Sequence, residues 1–274
     1  GDLNARADAS SQDAIGQLAA TFNGMTAHIR RLIESQREMT RAVSHELRTP
    51  VARLRFGLEM IADIDDIDVR HSKVEAMDRD IDQLDELIDE ILTFARLEEG
   101  SPAIDFVRVS MPALLERLRD ELLPISGGVN IDIDEAMLAT LAPEDSYAAG
   151  SERYLHRVLQ NLVTNALRYA AGRVVLRYRS DGDLAVLEVE DDGPGIPEAD
   201  RERIFKPFAR LDESRQRKSG GYGLGLSIVQ RIAEWHGGRV TVHESDSGGA
   251  LFRMVWPRQH RVGSHVLGQA DNTL

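Results

Sequence analysis

Glu190-Asp191-Asp192-Gly193-Pro194-Gly195-Ile196-Pro197 closes a β-type run from Leu184 to Val189, and Gly220-Gly221-Tyr222-Gly223-Leu224-Gly225-Leu226 opens a helical segment. Glycine sits where a backbone must take positive φ or approach another atom closely, and amides at a helix start attract phosphate. Either cluster alone also reads as an ordinary turn. Together they point to a phosphate-bearing ligand. They are not a Rossmann fingerprint, because Gly223-Leu224-Gly225-Leu226-Ser227-Ile228 lacks the third glycine, nor a P-loop, because no Gly-Lys-Ser/Thr follows.

Working outward, β-type runs at Phe106–Val109, Val129–Ile133, Val174–Arg179, Leu184–Val189, Arg239–His243 and Leu251–Trp256 alternate with helical segments near 111–123, 151–171 and 223–237. This alternation predicts an α/β sandwich rather than an all-β fold. In the middle helix Asn161 and Asn165 lie one turn apart on one side of a segment that is otherwise apolar at Leu155, Val158, Leu159, Leu162, Val163, Ala166 and Leu167. Carboxamide oxygens suit a hard cation such as Mg²⁺ carried on nucleotide phosphates, although asparagine is more often a surface residue or a cap. Arg168, three residues on, shares that side and adds positive charge.

Toward the N-terminus, Glu98-Glu99-Gly100-Ser101-Pro102 breaks helical periodicity and marks a domain boundary. Before it the chain reads as helix. Val74, Met77, Ile81, Leu84, Ile88, Ile91 and Ala95 alternate three and four apart, and Leu32, Met39, Val43, Leu47, Val51, Leu54, Leu58 and Ile61 do nearly the same, with an acidic turn at 63–68 between them. Two antiparallel helices follow. A lone hairpin leaves one apolar edge bare, so pairing with a second copy into a four-helix bundle, hence a homodimer, is expected.

Ser44-His45-Glu46-Leu47-Arg48-Thr49-Pro50 lies in the first of these helices. At 100° per residue His45 falls roughly 200° from Val43 and so faces solvent. An exposed imidazole beside a carboxylate can be held in one tautomer with its other nitrogen free as a nucleophile, although alone it would pass for a surface histidine. Pro50 lacks an amide hydrogen and clashes with the Glu46 carbonyl, so a bend or loosening is expected there.

Composition bounds these readings. The chain has 274 residues, 46 acidic against 33 basic, a net charge of -13 and no cysteine. That charge disfavours nucleic-acid binding, and the lack of thiols rules out disulfides, thiolate metal sites and a cysteine nucleophile. No apolar run approaches the ~20 residues of a membrane span. The chain starts at Gly1 rather than Met, so an upstream segment is expected to be missing.

In order, these stretches resemble a two-component sensor histidine kinase. His45-Glu46-Leu47-Arg48-Thr49-Pro50 resembles the phosphoacceptor box, 161–169 the N box, 191–195 the first glycine box, Phe205-Lys206-Pro207-Phe208 the F box and 221–226 the second glycine box. Residues 1–3 and 13–23 resemble the latter part of a HAMP signalling linker, which in that family follows a transmembrane helix. The resemblance implies four parts: a partial HAMP linker at 1–30, a dimerisation and phosphotransfer hairpin at 31–99, a GHKL-type ATP-binding domain at 104–258 and an unstructured tail at 259–274. It implies that ATP with Mg²⁺ phosphorylates His45, with Glu46 orienting and deprotonating the ring and Thr49 positioning water for a possible phosphatase activity. It implies nucleotide contacts from Asn161, Asn165, Arg168, Tyr169, Asp191, Gly193, Gly195, Phe208, Arg210, Gly221, Gly223 and Gly225, with Asn165 holding Mg²⁺ and Asp191 accepting from the adenine amine. The implied partners are a second copy and the aspartate of a response regulator, on the cytoplasmic portion of an inner-membrane sensor. Arg168 stands where the family often has lysine, keeping the charge but changing its geometry. A nucleotide-driven clamp of the same fold, or an ATP-binding scaffold without turnover, are the rival readings.

Overall fold

The computed structural model describes residues 5–8, 14–61, 64–98, 106–210 and 222–259, with the side chains at 28, 31, 32, 35 and 38 excepted. Residues 1–4, 9–13, 99–105, Gly221 and the tail from 260, and with them parts of the HAMP, boundary and glycine-box readings, lie outside the described residues, as does the Leu32 side chain. The chain divides into two compact units, Gly1–Ile91 and Leu92–Leu274.

The first unit is helical. Helix α1 spans Ala14–Ile61 and α2 spans Ile67–Glu98, of which the last seven residues belong to the second unit. The hairpin turn is set by Asp66, whose Oδ1 accepts from the amides of Asp68 (2.9 Å) and Val69 (3.2 Å), satisfying donors that a helix start leaves orphaned. Within the unit Arg53 ties the helices together, its guanidinium donating to Gln83 (3.0 Å) and pairing with Asp80 (2.8 Å). Gly57 permits close packing, since a Cβ there would lie 2.9 Å from the Met77 sulfur. The expected loosening at Pro50 does not interrupt α1, which runs through it. One missing amide hydrogen leaves one hydrogen bond unmade, and the turns on either side carry the helix on.

The residues that α2 buries are not those of the seam read from the sequence. Leu87, Phe94 and Leu97 are buried, whereas Val74, Ile81 and Ile88 are each more than 40% exposed. Among the described residues, no helix is long and apolar enough to cross a membrane.

The second unit is an α/β sandwich. Strands β1 (Val107–Ser110) and β3 (Tyr147–Gly150) form a two-stranded antiparallel pair, and a five-stranded sheet runs β2-β4-β5-β7-β6, with β2 Asn130–Ile133, β4 Arg173–Asp181, β5 Leu184–Asp191, β6 Arg239–Glu244 and β7 Ala250–Pro257. Only β2 and β4 run parallel; the other neighbours are antiparallel. Helices α3 (Met111–Leu122), α5 (Glu152–Tyr169) and α6 (Gly225–Trp235) pack with the sheet, and a one-turn α4 (Glu135–Ala139) follows β2. The two-residue loop between β4 and β5 begins with Gly182 at φ +60°, a conformation that glycine adopts without steric cost.

The core lies between helices and sheet. Leu155, Val158, Leu159, Leu162, Val163 and Ala166 of α5 recur three and four apart and are all buried, as the sequence spacing predicts. Each leucine or valine among them contributes about 1.5–3 kcal/mol of burial. Opposite them, register aligns Leu176 with Val189 and Val189 with Phe252 on one face of the sheet. The one buried histidine among the described residues, His236, locks the end of α6 to the start of α5: its Nδ1 donates to the Ile232 carbonyl (2.8 Å) and its Nε2 accepts from the Ser151 amide (3.2 Å). The strand β3 and the short α4 have no counterpart in the sequence reading.

Candidate functional site

The candidate site is built where β5 ends. Asp191 lies opposite Val174 of β4, is buried, and its Oδ1 accepts from the amides of Gly193 (2.9 Å) and Ala250 (3.2 Å). Burial pushes its carboxyl above the usual range, against the two amides that favour the charged form. Its Oδ2 carries no hydrogen bond among the described residues. Asp191 is thus a strut through Oδ1, with Oδ2 left over as an acceptor.

The first glycine box passes between backbones. A Cβ on Gly193 would lie 2.5 Å from the Tyr169 carbonyl oxygen, and one on Gly195, at φ +70°, would lie 2.9 Å from the Gly248 carbonyl oxygen. These two glycines are therefore required by the protein's own chain, at the end of α5 and at the β6–β7 turn.

Behind the cleft, on the opposite side of β5, Glu190 pairs with Arg177 and its Oε1 accepts from the Ser245 hydroxyl (2.5 Å), while the Ser247 hydroxyl donates to the Asp191 carbonyl (3.3 Å). Burial works against the Glu190 charge, but Ser245 and Arg177 outweigh it and hold the carboxyl below its usual value. The neighbouring Asp192 receives three consecutive amides on one oxygen, those of Ala171 (2.8 Å), Gly172 (3.1 Å) and Arg173 (3.1 Å). The Gly172 amide first, with those of Arg173 and Ala171, lowers its carboxyl below the usual value.

Helix α5 supplies one wall. Asn161 is buried and donates its amide to the Gly225 carbonyl at the start of α6 (3.2 Å), so its nitrogen is engaged by the fold and its oxygen is the atom left for a ligand. Asn165 is half-buried one turn on, and Arg168 and Tyr169 are exposed at the end of the helix. Across from them Phe208 and Gly223 interlock. The Phe208 amide donates to the Gly223 carbonyl (2.9 Å), Phe208 sits at φ +59° and Gly223 at φ +76°, and a Cβ on Gly223 would lie 2.9 Å from the Phe208 backbone. A bulky residue in the left-handed region is strained and persists because its surroundings hold it. The Arg210 carbonyl accepts from Arg203 (3.2 Å).

The structure thus brings Asp191, Gly193 and Tyr169 together, joins Asn161 to Gly225, and joins Phe208 to Gly223. Of the remaining candidates, His45, Glu46 and Thr49 stand on α1 in the other unit. The His45 side chain is 77% exposed, and its Nδ1 lies 3.8 Å from Glu46 Oε1, beyond hydrogen-bond length. Thr49 is exposed one turn further along the helix. Sequence reasoning gave Asp192 no role; its only signal was a second carboxylate beside the glycine box.

The donor set accommodates a magnesium nucleotide. Asp191 Oδ2 suits an exocyclic amine, and Asn165 offers a neutral oxygen beside the cation Arg168. Among the described residues no group of three or more His, Cys, Asp or Glu side chains is placed to hold a metal ion. One carboxamide oxygen holds Mg²⁺ only when phosphate oxygens and water complete its shell, so the residues fit a metal that arrives on a nucleotide rather than one bound alone.

An exposed histidine on a helical hairpin and a buried aspartate set among tightly packed glycine turns in a separate α/β unit define a two-part class: a phospho-acceptor segment joined to an ATPase-type domain. Residues 35–100 match the His Kinase A (phospho-acceptor) domain, and residues 150–260 match the histidine kinase-, DNA gyrase B-, and HSP90-like ATPase family. The chain belongs to the sensor histidine kinases. It is similar to the sensor protein RstB of Escherichia coli (strain K12), with 39% identity over 262 residues, covering 96% of this chain and 58% of that protein. It thus spans little more than half the length of that relative. Among solved structures, full-length ShkA in complex with AMPPNP superposes with a TM-score of 0.60 at 28% identity, covering 82% of this chain and 46% of that one. Histidine kinase ThkA in complex with the response regulator protein TrrA has a TM-score of 0.66 at 21% identity, covering 84% and 64%, a likeness of fold.

Proposed function

We propose that this chain transfers the γ-phosphoryl group of ATP to His45 and then to an aspartate of a response regulator. The observation that carries this reading is the pairing, on one chain, of a solvent-facing imidazole next to a carboxylate with a cleft whose buried Asp191 keeps one oxygen unused by the protein. The relatives support it: RstB is a sensor protein, ShkA was solved with AMPPNP, and ThkA was solved with a response regulator.

In this reading Asp191 Oδ2 accepts from the adenine amine and Tyr169 lines the base. Asn161, through its free oxygen, and Arg168 approach the phosphates, with Asn165 holding Mg²⁺. Gly193 and Gly195 keep the cleft floor low. Gly223 and Gly225, with Phe208 and Arg210, border its phosphate end. Mg²⁺, when bound, neutralises phosphate charge. Neutral His45 attacks the γ-phosphorus through Nε2 as the bond to the β–γ bridging oxygen breaks. ADP leaves with that electron pair, and the Nδ1 proton passes to Glu46. The imidazole and carboxylate need to close from 3.8 Å to hydrogen-bond length, a tightening typical of sites seen without substrate. Thr49, one turn from His45, positions water when the phosphorylated regulator is hydrolysed.

The working unit in this reading is a homodimer. Ile67, Val74, Ile81 and Ile88 repeat every seven residues along α2 and are all exposed in the single chain, as a coiled-coil seam awaiting its partner would be. Ile15, Leu18, Phe22, Met25 and Ile29 form a second exposed stripe at the same spacing on α1. Residues upstream of the HAMP-like stretch would carry the membrane anchor, which places this chain on the cytoplasmic side of the inner membrane.

The test is incubation with Mg²⁺ and radiolabelled ATP. Acid-labile, alkali-stable label on the wild type and none on His45→Gln supports the kinase. ATP hydrolysis without labelled protein supports the clamp-type ATPase instead, and binding without turnover supports the scaffold.

A further inference from the structure

We infer that Asp192, which none of the assigned roles uses, is a positioning residue that sets the nucleotide cleft by lashing the end of α5 to the glycine box; the inference rests on the nucleotide reading above. Helix α5 ends at Tyr169, and Ala170 leaves it in an extended conformation (φ -56°, ψ 143°). The next three amides, of Ala171, Gly172 and Arg173, all converge on Asp192 Oδ1. Asp192 returns its own amide to the Arg173 carbonyl (3.3 Å), closing a ring between the α5–β4 turn and the end of β5. Three consecutive amides around one anionic oxygen form a nest, in which a carboxylate is held more strongly than by a neutral pair.

Position gives this lash its consequence. Asp191 and Asp192 are adjacent, and their carboxylates hold different parts of the cleft. Asp191 gathers the Gly193 turn and the first residue of β7, and Asp192 gathers the turn that follows Tyr169. Gly193 packs so closely on the Tyr169 carbonyl that a Cβ would not fit, so a shift of the turn after Tyr169 moves the glycine box or parts from it. Asn165, Arg168 and Tyr169 ride on the helix end that this turn terminates. Removing Asp192 hands three amide donors over to water and frees that end, so nucleotide affinity falls although Asp192 itself meets no ligand.

The test uses the full 274-residue chain and ADP as the probe. Asp192→Ala is expected to raise the ADP dissociation constant about tenfold, and Asp192→Asn, which keeps one acceptor oxygen without the charge, about threefold, the scale of losing charge-assisted hydrogen bonds at one remove. Amide hydrogen exchange at Ala171, Gly172 and Arg173 should rise in step with the loss of affinity, and the loss in the labelling reaction should fall on KM for ATP more than on kcat. ADP affinity within about twofold of wild type in Asp192→Ala, with those amides exchanging freely, overturns the inference and leaves Asp192 a local brace. If the alanine variant does not fold, Asp192→Asn is read alone: weaker ADP binding supports the inference and unchanged binding overturns it. Failure of the wild type to bind ADP sinks the nucleotide reading itself, a separate result.

Discussion

Replacing Asp191 by asparagine separates its two jobs. The amide oxygen of asparagine can still accept from Gly193 and Ala250, which Asp191 holds at 2.9 and 3.2 Å, so the glycine turn should survive. At Oδ2, however, an acceptor becomes an NH₂ donor, which the adenine amine of the proposed complex, also a donor, cannot use. Losing a charge-assisted hydrogen bond costs about 1.5–3 kcal/mol, or roughly ten- to a hundredfold in affinity. Folding should respond in the opposite sense. Burial raises the Asp191 carboxyl above its ordinary value of 3.8, so the folded state holds the proton more tightly than the unfolded chain does. Stability therefore falls as pH rises from that ordinary value through the raised one, and above it the ionised carboxylate is a standing penalty. Asparagine removes the penalty. Calorimetric titration with ADP should show the large loss of affinity, while thermal melts near neutral pH should show Tm equal to or above wild type, the gap closing as pH falls toward the ordinary carboxylate value. A Tm lowered by several degrees with ADP affinity intact would refute the reasoning, because Asp191 would then be a strut alone.

Three further outcomes follow from the same geometry. Gly193→Ala should lower stability and nucleotide affinity together, because its Cβ would meet the Tyr169 carbonyl oxygen at 2.5 Å and backbone cannot give way cheaply; melts and ADP titration check it, and a variant like wild type in both would contradict the packing. Glu190 and Asp192 are held below their ordinary values, so their stabilisation is present above those values and is lost as pH falls through the lowered ones, giving a steepening acid destabilisation below about pH 4.5; in Glu190→Gln that acid slope should flatten, as melts against pH would read. Ile81→Glu with Ile88→Glu should convert a dimer to a monomer in analytical ultracentrifugation, since both side chains lie on the exposed heptad stripe; persistence of the dimer would place the interface elsewhere.

What the sequence made legible was whatever depends on periodicity. The buried stripe of α5 and the solvent-facing side of His45 follow from 3.6-residue spacing alone. Periodicity fails where one helix has two apolar faces. Val74, Ile81 and Ile88 repeat as cleanly as any core seam, yet the single chain buries Leu87, Phe94 and Leu97 instead, because which apolar face meets which neighbour is a tertiary matter. Strand β3 is not legible in the sequence because Tyr147-Ala148-Ala149-Gly150 has little β preference and owes its form to pairing with β1. The glycine clusters were visible, but the reason for them was not. Gly193, Gly195 and Gly223 are fixed by contacts with Tyr169, Gly248 and Phe208, residues 15 to 53 positions away in the chain. The helix face of Asn161 reads as ligand-facing, and only the fold reveals that half of its amide is taken by Gly225. The nest around Asp192 depends on the β4–β5 register, which places residue 192 beside residue 173.

Mapping the modified residue by mass spectrometry, after the purified chain has been incubated with Mg²⁺ and ATP under conditions that preserve acid-labile phosphate, tests the central claim most directly. The account predicts one phosphoryl group, on the imidazole of His45, and markedly slower labelling when Asp191 is asparagine at ATP concentrations that just saturate the wild type. Phosphate on any other side chain, or an unmodified His45 in a chain that binds ATP and dimerises, would contradict it.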